Sequence, residues 1–591
     1  MSIVNRDALR ALGLLCAISG AVLFTFRATE LSGMSASFAS SANKGEWLLF
    51  SHHLLYQPVV NLFAMLLGSF GCNAVCAGQV HSILWAILAI ASTYLITLHL
   101  TGSTIAAVMT GLLLLFSHGL WVFATQVEPY VPLVAMNSLI AATVILNGNA
   151  PLSASKTRLI TAVFTFSLFF HQANLFFIVP LLVYLGLVQG RRGISTAIKI
   201  GTVAGALALS ISLLAYWATH DDASIHGFRL WLTFYGVVSD DTHGAWRALL
   251  TLDPERLKQT GRSVVAAIVT TPSDALRTPV RIVVATLVAF VLVWNIVYAA
   301  NRRSGFSARV LLLTWALTFL VFFSWWHAGV HKFFLTAVVP LLILSALTAK
   351  DLVDLFARSP IQRGLAFAAS AAALSLIAAV NFDKSVRPMM GDGSGIMAVS
   401  RKLAAAEPGC VLYTKRRFAA HLNLYGLVGE FRTFQTMYVQ HHFSRFNRDI
   451  GDSFRMSTDV SEDECNVILL DWLSFEDFQF KDSHRLGMRT AKDAKLSDDG
   501  RPNWPGFIAW LLNVRPLPDG SGVSYDELTF FKIQSGEAFV RIDRRKRAYA
   551  HSLDDILAAL SEAVQRDPLN ESTRQEHRHL NAFRNRVFGY S

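Results

Sequence analysis

The amino-acid sequence predicts an α-helical polytopic membrane protein of about 11 spans, followed by a C-terminal soluble α/β domain. Three observations lead there. The 591 residues are 53% hydrophobic and only 16% charged, with a mean hydropathy of +0.41. That balance is foreign to a soluble enzyme of this size. Nearly all the excess apolar content lies before Asp383, and no later stretch is long enough to cross a bilayer. The net charge of +11 comes largely from Lys and Arg gathered in short gaps between apolar runs. Such gaps are the cytoplasmic loops of a membrane protein, so the charge calls for no nucleic acid.

The elements follow in order. Asn5-Arg6-Asp7-Ala8-Leu9-Arg10 precedes an apolar run ending near Phe26, which reads as an uncleaved signal anchor. Residues 27–71 form a first outer loop, whose small polar stretch 33–44 suits an interfacial helix or a mobile segment. Further span-length runs lie at 75–98, 103–123, 131–146, 159–170, 175–188, 198–218, 280–299, 310–326, 333–347 and 365–380.

Segment 54–70 decides the sidedness. It is short and begins with Tyr56, Gln57, Pro58 and Asn61. If it lies at the interface, the cytoplasmic loops hold Lys156 and Arg158; Arg191, Arg192 and Lys199; Arg302, Arg303 and Arg309; and Lys350, Arg358 and Arg363. If it crosses, all of these lie outside, against the positive-inside rule. The interfacial version puts Glu30, the Glu128 break, His171-Gln172-Ala173-Asn174, the long outer loop 220–279 and the tail on the outer face. The membrane domain is then 1–383 and the extracytoplasmic domain 384–591.

In the tail, Cys410-Val411-Leu412-Tyr413, Asn466-Val467-Ile468-Leu469-Leu470-Asp471-Trp472 and Ala538-Phe539-Val540-Arg541-Ile542 read as strands, with a helical pattern over 553–564. Arg544-Arg545-Lys546-Arg547 reads as a solvated or lipid-facing patch. Cys16, Cys72 and Cys76 read as packing residues in apolar segments, whereas Cys410 and Cys465 would pair in an oxidising compartment.

Two glutamates stand out, since a carboxylate at the mouth of a membrane helix is costly and is usually kept for a task. Glu30 follows the first span. It reads either as a reacting acid or as a solvated helix-end charge beside Arg27. Glu128 sits in Val127-Glu128-Pro129-Tyr130, where proline stops one helix and starts another. It could orient a sugar hydroxyl or simply complement a helix N-terminus. The adjacent His52 and His53 read as an interfacial pair rather than a metal site. His171 and Asn174 read as hydrogen-bonded helix-terminal groups or as binding residues. In Ser324-Trp325-Trp326-His327-Ala328-Gly329-Val330-His331-Lys332-Phe333, a lysine sits on the outer side against the charge rule. It suits a phosphate headgroup flanked by aromatic faces, or lipid anchoring with a snorkelling lysine.

These stretches resemble the GT-C superfamily of polytopic glycosyltransferases, which includes protein O-mannosyltransferases and aminoarabinose lipid A transferases. The family has an Asp or Asp-Glu after its first span, here Glu30. Its His-Pro-Pro-x-Tyr-Pro-Leu stretch is similar to His52-His53-Leu54-Leu55-Tyr56-Gln57-Pro58. Its Trp…Ala-Thr…Glu-Val-Tyr signature resembles Trp121, Ala124-Thr125, Glu128 and Tyr130, the last displaced by Pro129. Its Gly-Asn-His break before a Pro-containing helix resembles His171-Gln172-Ala173-Asn174, with Pro180 downstream. The motifs cover about the first 190 residues, and topology alone carries the rest.

The resemblance implies a glycosyltransferase that takes a sugar from a polyprenyl-phosphate donor, with inversion, onto a hydroxyl of a protein, lipid or glycan. Glu30 would be the general base, and Glu128, the other catalytic residue, would position acceptor or donor. Lys332 and His331 would stabilise the phosphate leaving group, with Arg229 a further cation. His52, His53, Tyr56, Gln57, His118, Trp121, Tyr130, His171, Asn174 and His327 would position donor or acceptor. No cofactor is implied and no metal is called for, although some relatives need a divalent ion. The location implied is the bacterial inner membrane, among membrane lipids, with the C-terminal domain periplasmic. A transporter or flippase of lipid-linked saccharides is the alternative. It predicts ionisable groups deep within several spans. A sensor with a ligand-binding tail is a third class, for which so many spans are excessive.

Overall fold

The computed structural model describes residues 6–29, 31–148, 150–219, 224–232, 254–270, 274–301, 305–357 and 359–390, together with five short strands of the tail. Glu30, residues 220–223, 233–253 and 271–273 of the long loop, Arg302, Arg303, Arg358, Cys410 and the expected helix over 553–564 lie outside these residues. The chain divides into two units, Met1–Gly391 and Asp392–Ser591. The boundary falls past Asp383 because the last apolar helix runs on through a π-turn, Phe382–Val386, into Arg387–Met389.

The first unit is a helical membrane bundle. Among the described residues, eight helical stretches are long and apolar enough to cross a bilayer, and up to nine when one bent pair counts as a span. Helix α1 (Arg6–Thr25) turns Leu9, Leu14, Ile18 and Phe24 outward and buries Ala8, Leu15, Ser19 and Leu23. The first outer loop folds into two short helices, α2 (Gly33–Asn43) and α3 (Tyr56–Gly68). At 13 residues, or about 20 Å, α3 is too short for a hydrocarbon core of about 30 Å. It exposes Leu62, Met65 and Leu66 along one side, as an interfacial helix does.

Helix α4 (Ala74–Thr101) starts on an Asn73 cap and ends at left-handed Gly102. It packs on α5 (Thr104–Phe116) and on the almost wholly buried α7 (Tyr130–Asn147). Between these, α6 (His118–Ala124) bends 62° away from α5. Helix α8 (Ala154–Phe170) has 17 residues and begins on a Ser153 cap.

The next stretch, α9 (Ile178–Thr219), is two helices joined at Gly190, whose φ of 59° breaks the helix. A Cβ at Gly193 would meet the Leu185 carbonyl oxygen at 1.9 Å, and one at Gly201 would meet Ile178 at 3.0 Å. In a straight helix residues 178 and 201 would be separated by roughly 35 Å. The chain therefore reverses at Gly190, and glycines let the two arms touch backbone to side chain. The two arms of this hairpin correspond to the separate runs 175–188 and 198–218 that the sequence predicts.

Helices α10 (Ile225–Leu232) and α11 (Pro254–Ile268) belong to the long outer loop. The remaining spans are α12 (Asp274–Asn301), α13 (Phe306–His327), α14 (Leu335–Phe356) and α15 (Pro360–Asn381). Arg309, assigned to a loop from the sequence, lies inside α13 at 5% exposed. It bonds both carboxylate oxygens of Asp351 on α14, at 3.0 and 2.8 Å, and stacks over Tyr298 of α12. A fully paired ion pair at this depth locks three helices together.

One cysteine expectation is corrected. Cys72 and Cys76 form a disulfide rather than packing as free thiols. Asn73 caps α4 between them by accepting the Cys76 N–H at 3.0 Å, and that turn brings positions four apart together.

The second unit contains a mixed sheet of order β2-β1-β3-β5-β4. Strands β1 (Val411–Thr414), β2 (Thr433–Thr436) and β3 (Cys465–Leu469) are parallel, and β4 (Leu528–Lys532) and β5 (Ala538–Asp543) add antiparallel. Strands β1, β3 and β5 coincide with the expected runs. Strands β2 and β4 are too short and too mixed in composition to carry a period.

Candidate active site

The site grows from the two breaks that flank α6. Bending α5 from α6 frees the Phe116 carbonyl, and Asn381 of α15 donates to it at 2.8 Å. The same amide donates to Ile268 O and accepts from Thr270 N–H, tying the end of α11 to the bend. Irregular backbone at membrane depth persists only when its polar groups are satisfied in this way.

At the second break Val127 packs against Gly78 of α4, where a Cβ would strike it at 2.7 Å. Gln79 beside it is buried and donates to both Ala28 O (2.7 Å) and Thr125 O (2.8 Å). One glutamine thus holds the end of the first span to the Glu128 segment.

Glu128 is completely buried. Its Oε1 accepts from the hydroxyls of Ser32, the α2 cap, at 2.9 Å and Ser35 at 3.2 Å. Gln126 Oε1 accepts from the Ser32 N–H and the Ser35 hydroxyl, both at 3.0 Å. Glu128 and Gln126 therefore anchor the chain two residues beyond Glu30. The other carboxylate oxygen, Oε2, faces Lys332 Nζ at 3.6 Å.

Lys332 stands in a 3-10 turn, His331–Phe334, between α13 and α14. Its ammonium lies 4.8 Å from the centre of the Tyr130 ring and 3.5 Å from Met34 Sδ. A separation of 3.6 Å is long for a charge-assisted hydrogen bond, which closes to about 2.8 Å. The lysine is held near the acid without being consumed by it. His331 stacks on His118 (5.1 Å between ring centres) and on Phe123 (5.5 Å). His118 Nδ1 donates to Ala266 O of α11. Arg256 of α11 donates to the Trp325 carbonyl at 2.6 Å, so it caps the end of α13.

A histidine cluster borders this ion pair. The His53 and His171 rings are 4.9 Å apart, and Tyr130 lies 6.0 and 5.2 Å from them. His53 Nδ1 donates to the Phe170 carbonyl at 2.9 Å, which leaves its Nε2 an acceptor. His171 Nδ1 accepts the Ala173 N–H at 3.0 Å, which makes its Nε2 the protonated nitrogen. Burial, with His52 and Lys332 nearby, pushes His53 down to about 3. Burial and the neighbouring His53, His52 and Lys332 likewise hold His171 well below the usual imidazole range. Both rings are neutral at pH 7 with opposed tautomers, one accepting and one donating. That is a matched pair for a hydroxyl. His52 pairs with Gln172 at 3.0 Å, and Gln172 in turn donates to Ser51 O.

Other candidates take structural positions. Asn174 is fully buried, accepts from Asn137 at 2.8 Å and donates to Ser167 O. Gln57 donates to Phe38 O and Asn61, stitching α2 to α3. Tyr56 packs on Phe38 and His81. Trp121 is 3% exposed among Phe26, Phe116 and Phe382, where a sugar has no access to its faces. Arg229 is exposed on α10, which packs on α9 through Tyr216, Phe228 and Trp231. His327 ends α13, and Glu30 lies outside the described residues. Among the described residues, no three His, Cys, Asp or Glu side chains group as a metal site.

Sequence reasoning passed over Ser32, Ser35, Gln79, Gln126 and Asn381. Gln79 and Asn381 carried a usable signal, being amides inside apolar runs. The serines carried none, because small polar residues fill that loop.

No family model matches this sequence, and no curated protein matches it. Among solved structures, it is similar to the Archaeoglobus fulgidus oligosaccharyltransferase, at 11% identity over 72% of this chain, with a TM-score of 0.46. It spans only 62% of that enzyme's length. It is also similar to ArnT from Cupriavidus metallidurans, determined bound to undecaprenyl phosphate. There the identity is 12% over 89% of this chain and 97% of ArnT, with a TM-score of 0.46. These likenesses stand beside the GT-C resemblance of the motifs, and the functional reading rests on the site itself.

Proposed function

We propose that this multi-pass membrane protein is a glycosyltransferase that moves a sugar from a polyprenyl-phosphate carrier to an acceptor hydroxyl, with inversion. The reaction is placed on the extracytoplasmic face of a bacterial inner membrane, the side to which the charge pattern assigns the site. The single observation that carries the reading is the Lys332 ammonium held 3.6 Å from buried Glu128, beside the His53–His171 pair.

Glu30 accepts the proton of the acceptor hydroxyl. The freed oxygen attacks the anomeric carbon as the bond to the carrier phosphate breaks. Negative charge then grows on the phosphate, and Lys332 answers it with His331 alongside. Glu128 holds Lys332 in place until the phosphate arrives. Through Ser32 and Ser35 it also sets the position of the Glu30 segment. His53 and His171 orient a hydroxyl of sugar or acceptor, and the prenyl chain remains in lipid.

Replacing Glu30 with Gln should abolish transfer from a labelled polyprenyl-phosphate sugar while the protein stays folded. Unchanged transfer would remove the assigned base. Movement of the lipid-linked sugar across the membrane with no new glycosidic bond would make the chain a transporter instead.

A further inference from the structure

We infer that the groove between α8 and the second arm of α9 is a binding site for one anionic phospholipid. Thr157, Arg158, Thr161, Ala162, Thr165, Phe166 and Phe169 on α8 line it, with Lys199, Ile200, Val203 and Leu207 facing them on α9, around about 520 Å³.

Because α9 doubles back at Gly190, its second arm runs parallel to α8, so the ends of the two lining series correspond. Arg158 and Lys199 both stand toward the end where the two series begin. The rest of the wall, up to Phe169 and Leu207, is apolar. From position 157 to 169 the groove is about 18 Å long, the reach of an extended acyl chain. Thr161 and Thr165 do not make it polar, since their hydroxyls bond back to the carbonyls of Thr157 (2.9 Å) and Thr161 (2.8 Å). A polar head at one end and a long apolar wall beneath it match a lipid rather than a soluble anion.

Charge selects the kind of lipid. No Asp or Glu occurs anywhere between Glu128 and Asp221, a stretch that contains Lys156, Arg158, Arg191, Arg192 and Lys199. Arg158 and Lys199 are exposed, and neither has a carboxylate partner among the described residues. Two unpaired cations above an apolar groove attract a phosphate headgroup with net negative charge over a zwitterionic one. The site is separate from the Glu128 cluster. Its far end reaches Phe169, which packs with Leu54 at the base of the histidine pair. An occupied groove therefore braces the end of α8 whose Phe170 carbonyl fixes the His53 tautomer.

Native mass spectrometry of the full-length protein, extracted from nanodiscs of phosphatidylglycerol and phosphatidylcholine in equal amounts, tests this. The expected result is one retained phosphatidylglycerol, lost about tenfold more readily from the Arg158→Gln/Lys199→Gln variant. The charge-matched control Arg191→Gln/Arg192→Gln should retain it. Val203→Trp, which fills the groove and keeps both charges, should also lose it. Equal retention of the two lipids, an equal loss from the control, or retention by Val203→Trp would overturn the assignment. So would the appearance of a prenyl phosphate in place of phosphatidylglycerol when both are supplied.

Discussion

Removing the lysine of the Glu128–Lys332 pair should separate its structural from its chemical role. Glu128 is 1% exposed at its side chain and Lys332 is 17% exposed, so the pair is shielded from solvent on one side and nearly so on the other. Lys332→Met keeps the length of the side chain and removes the charge. It leaves a buried carboxylate with Ser32 and Ser35 as hydrogen-bond donors and no cation. A stranded buried charge of this kind costs about 3–5 kcal/mol, and the two serine bonds pull the figure to the lower end. Adding Glu128→Gln removes the stranded charge while keeping an acceptor for the serines. The double variant should therefore regain most of the lost stability, a coupling of roughly 2 kcal/mol or more in the double-mutant cycle.

Activity should behave differently. Loss of one cation facing the leaving phosphate costs on the order of 100- to 1,000-fold in turnover, and the double variant should not recover it. Thermal unfolding in detergent reads the first quantity, and transfer from a labelled polyprenyl-phosphate sugar reads the second. If the double variant regained activity along with stability, Lys332 would be only the counter-ion of Glu128, and its place opposite the phosphate would be lost. If the single variant were as stable as the wild type, the ion pair itself would be in doubt.

Three further outcomes follow from the geometry. Gly193→Ala places a Cβ 1.9 Å from the Leu185 carbonyl oxygen, so it should open the α9 hairpin and lower the yield of folded protein; Gly205→Ala, with open space around it, should not. Gln79→Leu strands the Ala28 carbonyl and leaves the Thr125 carbonyl with the Ala28 N–H alone (3.3 Å), which should cost about 1–3 kcal/mol in thermal unfolding, with a larger loss of transfer than of fold. The pH dependence has a definite sign, because His53 titrates near 3 when folded and near 6.5 when unfolded. Its contribution to stability is therefore complete above about pH 6.5 and is lost as pH falls from there toward 3. The slope is at most about 1.4 kcal/mol per pH unit. His53→Gln should flatten the unfolding profile between pH 6.5 and 4.5, and an unchanged slope would show that the ring is not buried neutral.

Much of this molecule is legible in local patterns. A span needs only a run of apolar residues, and a break needs only Pro129 or Gly190, so the spans, the short α3 and the turn that carries Lys332 could all be read along the chain. The charge rule is also local, which is why an expected sidedness comes from counting Lys and Arg in loops. Pairing is not local. Nothing in the spacing says that Glu128 accepts from Ser32 and Ser35, more than ninety residues away, or that Lys332 meets it from another helix pair. The opposed tautomers of His53 and His171 depend on which carbonyl and which N–H each ring reaches, and only folded backbone supplies those. Trp121 shows the converse: its motif resembles a binding signature, yet its ring packs in an aromatic core. Hydrophobicity sets which segments enter the membrane one by one. The chemistry depends on polar atoms from distant segments meeting in a dry interior, where each must find a partner, and that is settled only when the helices assemble.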